Sequence, residues 1–162
     1  MITCVVAMAK GNVIGAHNTL PWRMPADLRH FKALTVGKTV VMGTKTFHSI
    51  IEYRGAPLPD RQSVVLTHNK QFSYPGVEVL YEVADIPKLP GEVCIIGGAQ
   101  VYNATLHLVS KLYVTEIHAV VEGDAFFPEI KPLEWREVSR QPHKADQHNP
   151  HDYDFVAYER RA

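Results

Sequence analysis

"VCIIGGAQVY", residues 93–102, sets an unbroken apolar run against two adjacent glycines and a segment of helical character. Apolar residues at consecutive positions suit a strand covered on both faces, because successive side chains point to opposite sides of a sheet. Gly97 and Gly98 allow a tight turn, and from about Ala99 the chain can run as a short helix. A strand that feeds a helix in this way is the building unit of a parallel α/β fold. "VVMGTKTFHSI", residues 40–50, repeats the unit with Gly43 at the turn and a helix start at Thr44 to Thr46.

Working outward, runs rich in Val and Ile predict strands at Ile2–Ala7, Thr39–Met42, Ser63–Thr67, Val77–Tyr81, Val93–Ile96 and Leu112–Ile117. Helical segments are expected over 25–35, 45–51 and 98–108. "WREVSRQP" and "YDFVAYER" read as two longer strands forming an antiparallel edge, joined by residues 142–152. In "VADIPKLPG", Pro87 and Pro90 leave room for about one helical turn at most. The reading is α/β, with no tandem repeat and no linker to mark a boundary, so residues 1–162 are expected to form a single domain.

Composition narrows the function. The chain has 162 residues, 46% of them hydrophobic, with Lys plus Arg and Asp plus Glu both at 17. That balance makes no electrostatic case for nucleic acid or an anionic membrane. The initial apolar stretch "ITCVVAMA" is too short for a membrane span and reads as a strand. Cys4 and Cys94 sit inside strand-like runs without a C-x-x-C pair, which suits free thiols in a reducing cytoplasm. A disulfide stays open, because the two strands can be neighbours.

Four stretches could carry chemistry. In "LPWRMPADLRHF", residues 20–31, Pro25 can open a helix on which Asp27, Phe31 and Leu34 share one stripe. An acid on an apolar face is ambiguous on its own: it could serve a ligand, but a first-turn carboxylate is commonly placed there by the helix dipole alone. The preceding loop, "AMAKGNVIGAHNTLPW", carries Gly11 and Gly15 as turn residues. Its Ile14, Leu20 and Trp22 could cover an apolar ligand or pin the loop to the core. The two glycine turns, with Thr46 and Lys45 beside one of them, could hold a dinucleotide pyrophosphate, or be tight turns and a Thr-capped helix. Arg61, in "GAPLPDRQSVVLTH", could grip a carboxylate or lie on a solvated surface. His143, His148 and His151 lack metal-ligand spacing and read as a solvated turn, so no metal is expected. Ser49 and Ser63 lack a nucleophile motif.

Six stretches taken together resemble bacterial dihydrofolate reductases: "VIG" at 13–15, "LPWRMPADLRHFK" at 20–32, "VVMGTKTFHSI" at 40–50, "PLPDR" at 57–61, "IIGGAQVY" at 95–102 and "EGDAFFP" at 122–128. They occur in family order across nearly the whole chain. The resemblance implies a central eight-stranded, mostly parallel sheet with an antiparallel C-terminal edge and four flanking helices. It implies hydride transfer from NADPH to dihydrofolate with protonation at pterin N5, folate-analogue inhibitors, and a cytoplasmic monomer. It points to no nucleic-acid or membrane partner.

By the same resemblance, Asp27 anchors the pterin, Trp22 positions a water for proton delivery, and Leu20 closes over the reacting rings. Val5, Ala7, Leu28, Phe31, Lys32, Ile50, Leu58 and Ile96 line the substrate pocket. Thr115 bonds Asp27 or the pterin amino group, and Arg61 binds the glutamate α-carboxylate. Ile14, Asn18 and Leu20 cover nicotinamide and ribose. Thr46, Gly97, Gly98, Ala99, Gln100 and Val101 face the pyrophosphate, while Thr67 and His68 take the adenosine end. Val6, Ala7, Gly15, Thr19, Gly43, Thr44, Lys45, Leu66, Ile96 and Tyr102 complete the implied cofactor contacts. The family's cis peptide is expected at Gly97–Gly98, and Asp124 is expected to steady the loop at 9–24.

The chain departs from the family pattern at Thr44, where an Arg for the adenosine 2′-phosphate is usual, and at Gln100. NADPH preference then rests on Lys45, Thr67 and His68. "EYRGA" at 52–56 lengthens one connection, and 83–90 replaces part of a helix. A related pterin or pyrimidine reductase of the kind used in riboflavin synthesis is the alternative enzyme, against which Asp27 with Arg61 argues. A non-catalytic nucleotide-binding module is the alternative from another class.

Overall fold

The computed structural model describes residues 1–15 and 23–162. Among these, eight strands form one sheet in the order β5-β4-β3-β6-β1-β7-β10-β9. They are β1 (Ile2–Met8), β3 (Thr39–Met42), β4 (Gln62–Leu66), β5 (Glu78–Leu80), β6 (Val93–Gly97), β7 (Lys111–Ile117), β9 (Trp135–His143) and β10 (Tyr153–Arg160). All pairings from β5 to β7 are parallel, and only β10 against β7 and β9 is antiparallel. A second, two-stranded sheet pairs β2 (Val13–Gly15) with β8 (Ala125–Phe126).

The flanking helical segments are α1 (Pro25–Thr35), α2 (Thr44–Arg54), α3 (Ala99–Thr105) and the 3₁₀ segment Val83–Lys88. Side chains of α1 and α2, including Phe31, Leu34, Ile50 and Ile51, pack with Val5, Val40, Phe47 and Ile96 on one side of the sheet. Residues of α3 and Val83–Lys88, including Val101, Tyr102 and Ile86, pack with Cys4, Val6, Val41 and Val114 on the other. This division follows from right-handed crossovers. Connections running from β1 towards β4 cover one face, and those returning from β5 towards β7 cover the opposite face. Neighbouring strands β3 and β6 therefore send their chains in opposite directions, which opens a crevice beyond their carboxyl ends.

Several details differ from the sequence reading. α2 runs a turn beyond residue 51, because nothing in "EYR" breaks it until Gly55 takes the left-handed conformation (φ 78°) as its cap. Val83–Lys88 holds six residues with Pro87 inside, more than the single turn expected, because a 3₁₀ segment tolerates the proline near its end. Residues 10–15 are not plain loop but a 3₁₀ turn and a strand. The disulfide is ruled out by register. Thr3 lies opposite Cys94 and Cys4 opposite Ile95, so the thiols point to opposite faces and both are free and buried. His143 is not in a solvated turn either. It closes β9 and stacks on Tyr153, with ring centroids 5.0 Å apart.

Candidate functional site

The crevice begins at the two glycine turns. Gly43, after β3, donates its N–H to the carbonyl of Gly97, after β6, at 2.9 Å, so the turns are locked side by side. The Gly97–Gly98 peptide is cis and Gly97 has φ 129°, a conformation L side chains rarely adopt. A Cβ at Gly97 would stand 3.4 Å from Thr46 Oγ1 and 3.5 Å from the Tyr102 hydroxyl. A Cβ at Gly43 would stand 3.1 Å from Val101 Cγ2, so that neighbour would have to give way. Gly43 and Gly98 occupy the N-cap positions of α2 and α3 with no capping side chain. Backbone N–H groups thus face the crevice from two helix starts.

On the other side of the crevice, α1 carries Asp27 in its first turn. The carboxylate is half-buried, and the hydroxyl of Thr115, a residue only 2% exposed on β7, is the polar side-chain group that offsets its burial. Burial pushes the Asp27 pKa up, and the Thr115 bond draws it partly back. Tyr102, from α3, donates its hydroxyl to the Val5 carbonyl at 2.8 Å and is itself pushed up by burial, then by Cys4 and Asp27. It stays a neutral donor that ties β1 to α3 under the site.

Apolar residues wall the approach to Asp27. Val5 and Ile96 join the cluster that Phe31, Ile50 and Leu58 pack against. Ala7 lies opposite Thr115 in the β1–β7 register. Leu28 is 48% exposed, and Lys32, one turn on, is exposed as well. Further out, Arg61 donates from Nη1 to Thr35 Oγ1 at 3.0 Å and from Nε to the Pro59 carbonyl at 2.9 Å. Thr35 in turn donates to the Phe31 carbonyl at 2.8 Å. The guanidinium plane is therefore fixed to the last turn of α1, and burial and nearby Arg54 depress its pKa.

The remaining sequence candidates fall into three groups. Val6, Ile14, Val101 and Tyr102 are buried in the core on the α3 side, with Leu66 packed against it, so Val6, Ile14, Val101 and Leu66 can offer a ligand backbone more than side chain. Thr44, Thr46, Gly98 and Ala99 are half-buried at the helix starts, while Lys45, His68 and Gln100 are exposed. Thr67 pairs its N–H with the Leu80 carbonyl, and its hydroxyl accepts from Asn69 N at 3.1 Å. Asn18, Thr19, Leu20 and Trp22 lie outside the described residues. Gly15 accepts the Asp124 N–H at 3.0 Å, which ties the 9–15 segment to β8.

Two contributors carry no local signal. Gly123 passes so close to β2 that a Cβ would lie 2.4 Å from Val13 Cγ1 and 2.6 Å from the Gly15 carbonyl oxygen. Asn149, buried in the loop before β10, accepts the Ala26 N–H at 2.9 Å. The helix that bears Asp27 is thereby bonded to a residue 123 positions away, a distance no short motif spans.

The chain as a whole is similar to proteins already characterised. The family profile described as dihydrofolate reductase matches residues 1–160. The chain belongs to the dihydrofolate reductase family. "Dihydrofolate reductase type 3" of Salmonella typhimurium is 44% identical over 164 aligned residues, covering 99% of each chain. "Dihydrofolate reductase" of Bacillus subtilis (strain 168) is 41% identical over 164, covering 99% of this chain and 95% of the relative. Among solved structures, "Dihydrofolate reductase from Enterococcus faecalis complexed with NADP(H)and RAB-propyl" superposes with a TM-score of 0.91 at 36% identity. That comparison covers 100% of this chain and 97% of the other. The eight-stranded mixed sheet is the dihydrofolate reductase fold.

Proposed function

We infer that this protein reduces dihydrofolate to tetrahydrofolate with NADPH. The observation that carries the reading is the half-buried Asp27 on α1, beside an apolar wall and across a crevice from two glycine turns. A desolvated carboxylate can accept paired N–H bonds from the amino and N3 edge of a pterin, as it would from a guanidinium. Phe31, Ile50, Leu58, Val5 and Ile96 then sandwich the rings, with Ala7, Leu28 and Lys32 at the margins. Arg61, preset by Thr35 and Pro59, takes the glutamate α-carboxylate.

The glycine turns fit the cofactor. Thr46 stands beside the Cβ-free backbone of Gly97 and Gly98, which leaves room for a pyrophosphate against N–H groups. Ala99, Gln100 and Val101 extend that contact, and Lys45, Thr67 and His68 take the adenosine end. Bound NADPH supplies the hydride that reduces pterin C6. Asp27 orients the ring and favours its protonated state, while the proton reaches N5 through water near Trp22. Asp27 is then an anchor and electrostatic promoter and not itself the donor.

We further read residues 1–162 as one catalytic unit acting as a monomer in the cytoplasm and open to folate-analogue inhibitors. No helix among the described residues is long and apolar enough to cross a membrane. Following NADPH absorbance with purified protein tests the function. Loss that depends on dihydrofolate supports the reductase; loss only with a pyrimidine substrate supports the alternative enzyme. Nucleotide binding without oxidation would leave a binding module.

A further inference from the structure

The polar stretch "HKADQHNPHD", residues 143–152, lies outside the substrate and cofactor contacts, yet it reaches the helix that bears Asp27. The first-turn donors of α1 account for the contact. Pro25, at the first helical position, has no N–H. Asp27 N and Leu28 N both bond the Met24 carbonyl, at 3.0 Å and 3.2 Å. Ala26 N–H is the donor left, and Met24, an N-cap with no capping side chain, cannot serve it. Asn149 Oδ1 accepts it at 2.9 Å, in the position a local Ser or Asp cap would occupy.

The asparagine is oriented for this task. Its Nδ2 donates to both Asp146 carboxylate oxygens, at 2.9 Å and 3.1 Å, and its backbone N–H to Oδ1 at 2.8 Å. A carboxylate only accepts, so Nδ2 must face Asp146 and Oδ1 must face the helix. The loop is closed by paired backbone bonds between Asp146 and Asn149 and by Ala145 N to Asp152 Oδ1 at 2.8 Å. Asn149 is 2% exposed, so water cannot readily replace its oxygen.

We propose that Asn149 is a positioning residue for substrate binding: it caps α1 from the loop before β10 and so holds the helix start that bears Asp27 in place. The proposal rests on the reading of Asp27 as the pterin anchor. The cap acts on the helix start, one residue before Asp27, and touches neither glycine turn. Its loss displaces the carboxylate and leaves the cofactor side alone.

The test is steady-state kinetics of Asn149→Ala, Asn149→Ser and Asp146→Ala, with KM measured separately for dihydrofolate and NADPH. Removal of a cap costs about five- to tenfold in an equilibrium. Asn149→Ala is expected to raise KM for dihydrofolate by about that factor, with KM for NADPH within about twofold of wild type. Asn149→Ser, which keeps an acceptor, is expected to recover most of the loss. Asp146→Ala, which frees the amide to turn, is expected to show the same split at smaller size. A purely structural role would lower melting temperature and active enzyme concentration while leaving both KM values unchanged, and that result overturns the proposal. So does a Ser variant as impaired as Ala. If Asn149→Ala does not fold, the KM split in Asp146→Ala decides. Asp27→Asn measured alongside separates the two levels. A weak effect there overturns the anchor itself, whereas a strong effect with normal Asn149 variants overturns only the cap.

Discussion

The two sides of the crevice are built from different materials. The wall below α1 is made of side chains: one carboxylate, one hydroxyl and a set of apolar groups whose chemistry defines what can bind. The opposite side is made of backbone, where Gly43, Gly97 and Gly98 contribute by having no side chain at all. Selectivity for a ring belongs on the first side, because donors and acceptors placed by side chains discriminate between ligands. Accommodation of a charged, extended cofactor belongs on the second, because main-chain N–H groups recognise any phosphate. The contrast predicts opposite sensitivities. The substrate side should suffer when a functional group is removed, and the cofactor side when an atom is added.

The largest expected effect is on the first side. Asp27→Asn keeps the shape and loses the charge, and hydride transfer at neutral pH is expected to fall by about 10²- to 10⁴-fold, read by stopped-flow absorbance. On the second side, Gly97→Ala adds one methyl at φ 129°, against Thr46 and Tyr102. KM for NADPH is expected to rise by roughly tenfold or more, with KM for dihydrofolate less affected. The comparison breaks if the alanine weakens dihydrofolate more than NADPH. Arg61→Ala should raise KM for dihydrofolate by about tenfold and barely change kcat, since a bidentate grip on a remote carboxylate binds ground and transition states alike. Lys45→Ala removes an exposed charge and should raise KM for NADPH by no more than about fivefold, with the NADH value unchanged. Equal changes with both cofactors would remove Lys45 from 2′-phosphate recognition.

The smallest effect is on stability, and its sign is informative. Asp27 has a folded pKa above its ordinary value of 3.8, mainly because burial disfavours the charged form. The folded state then binds the proton more tightly than the unfolded chain, so ionisation weakens folding as pH rises from the ordinary value through the raised one. Above that window the cost is complete, and below it the cost is absent. Asp27→Asn is therefore expected to melt at a higher temperature than wild type at pH 7, with the gain vanishing as pH falls towards 3.8. A variant that is less stable at neutral pH would contradict the assigned burial cost.

Much of this was legible in the sequence because it is local. Several core strands are consecutive apolar runs, the glycine turns announce themselves, and the Asp27, Phe31 and Leu34 stripe follows from helical spacing. What escaped is what depends on distant chain. The strand Val13–Gly15 exists because Ala125–Phe126 pairs with it, and nothing in three residues signals a partner so far away. Gly123 is needed for a close crossing with Val13, a constraint visible only once both segments are placed. Asn149 caps a helix across the fold, and its own neighbourhood reads as a polar turn. His143, in the same polar stretch, is drawn into a stack with Tyr153 by the β9–β10 register.

The central claim is that Asp27 makes this crevice a dihydrofolate site. Its most direct test is single-turnover hydride transfer from NADPH to dihydrofolate at neutral pH, comparing wild type with Asp27→Asn after both are shown to fold and bind NADPH equally. The account predicts rapid transfer in wild type and a loss of at least about a hundredfold in the variant. Near wild-type transfer in Asp27→Asn would contradict it.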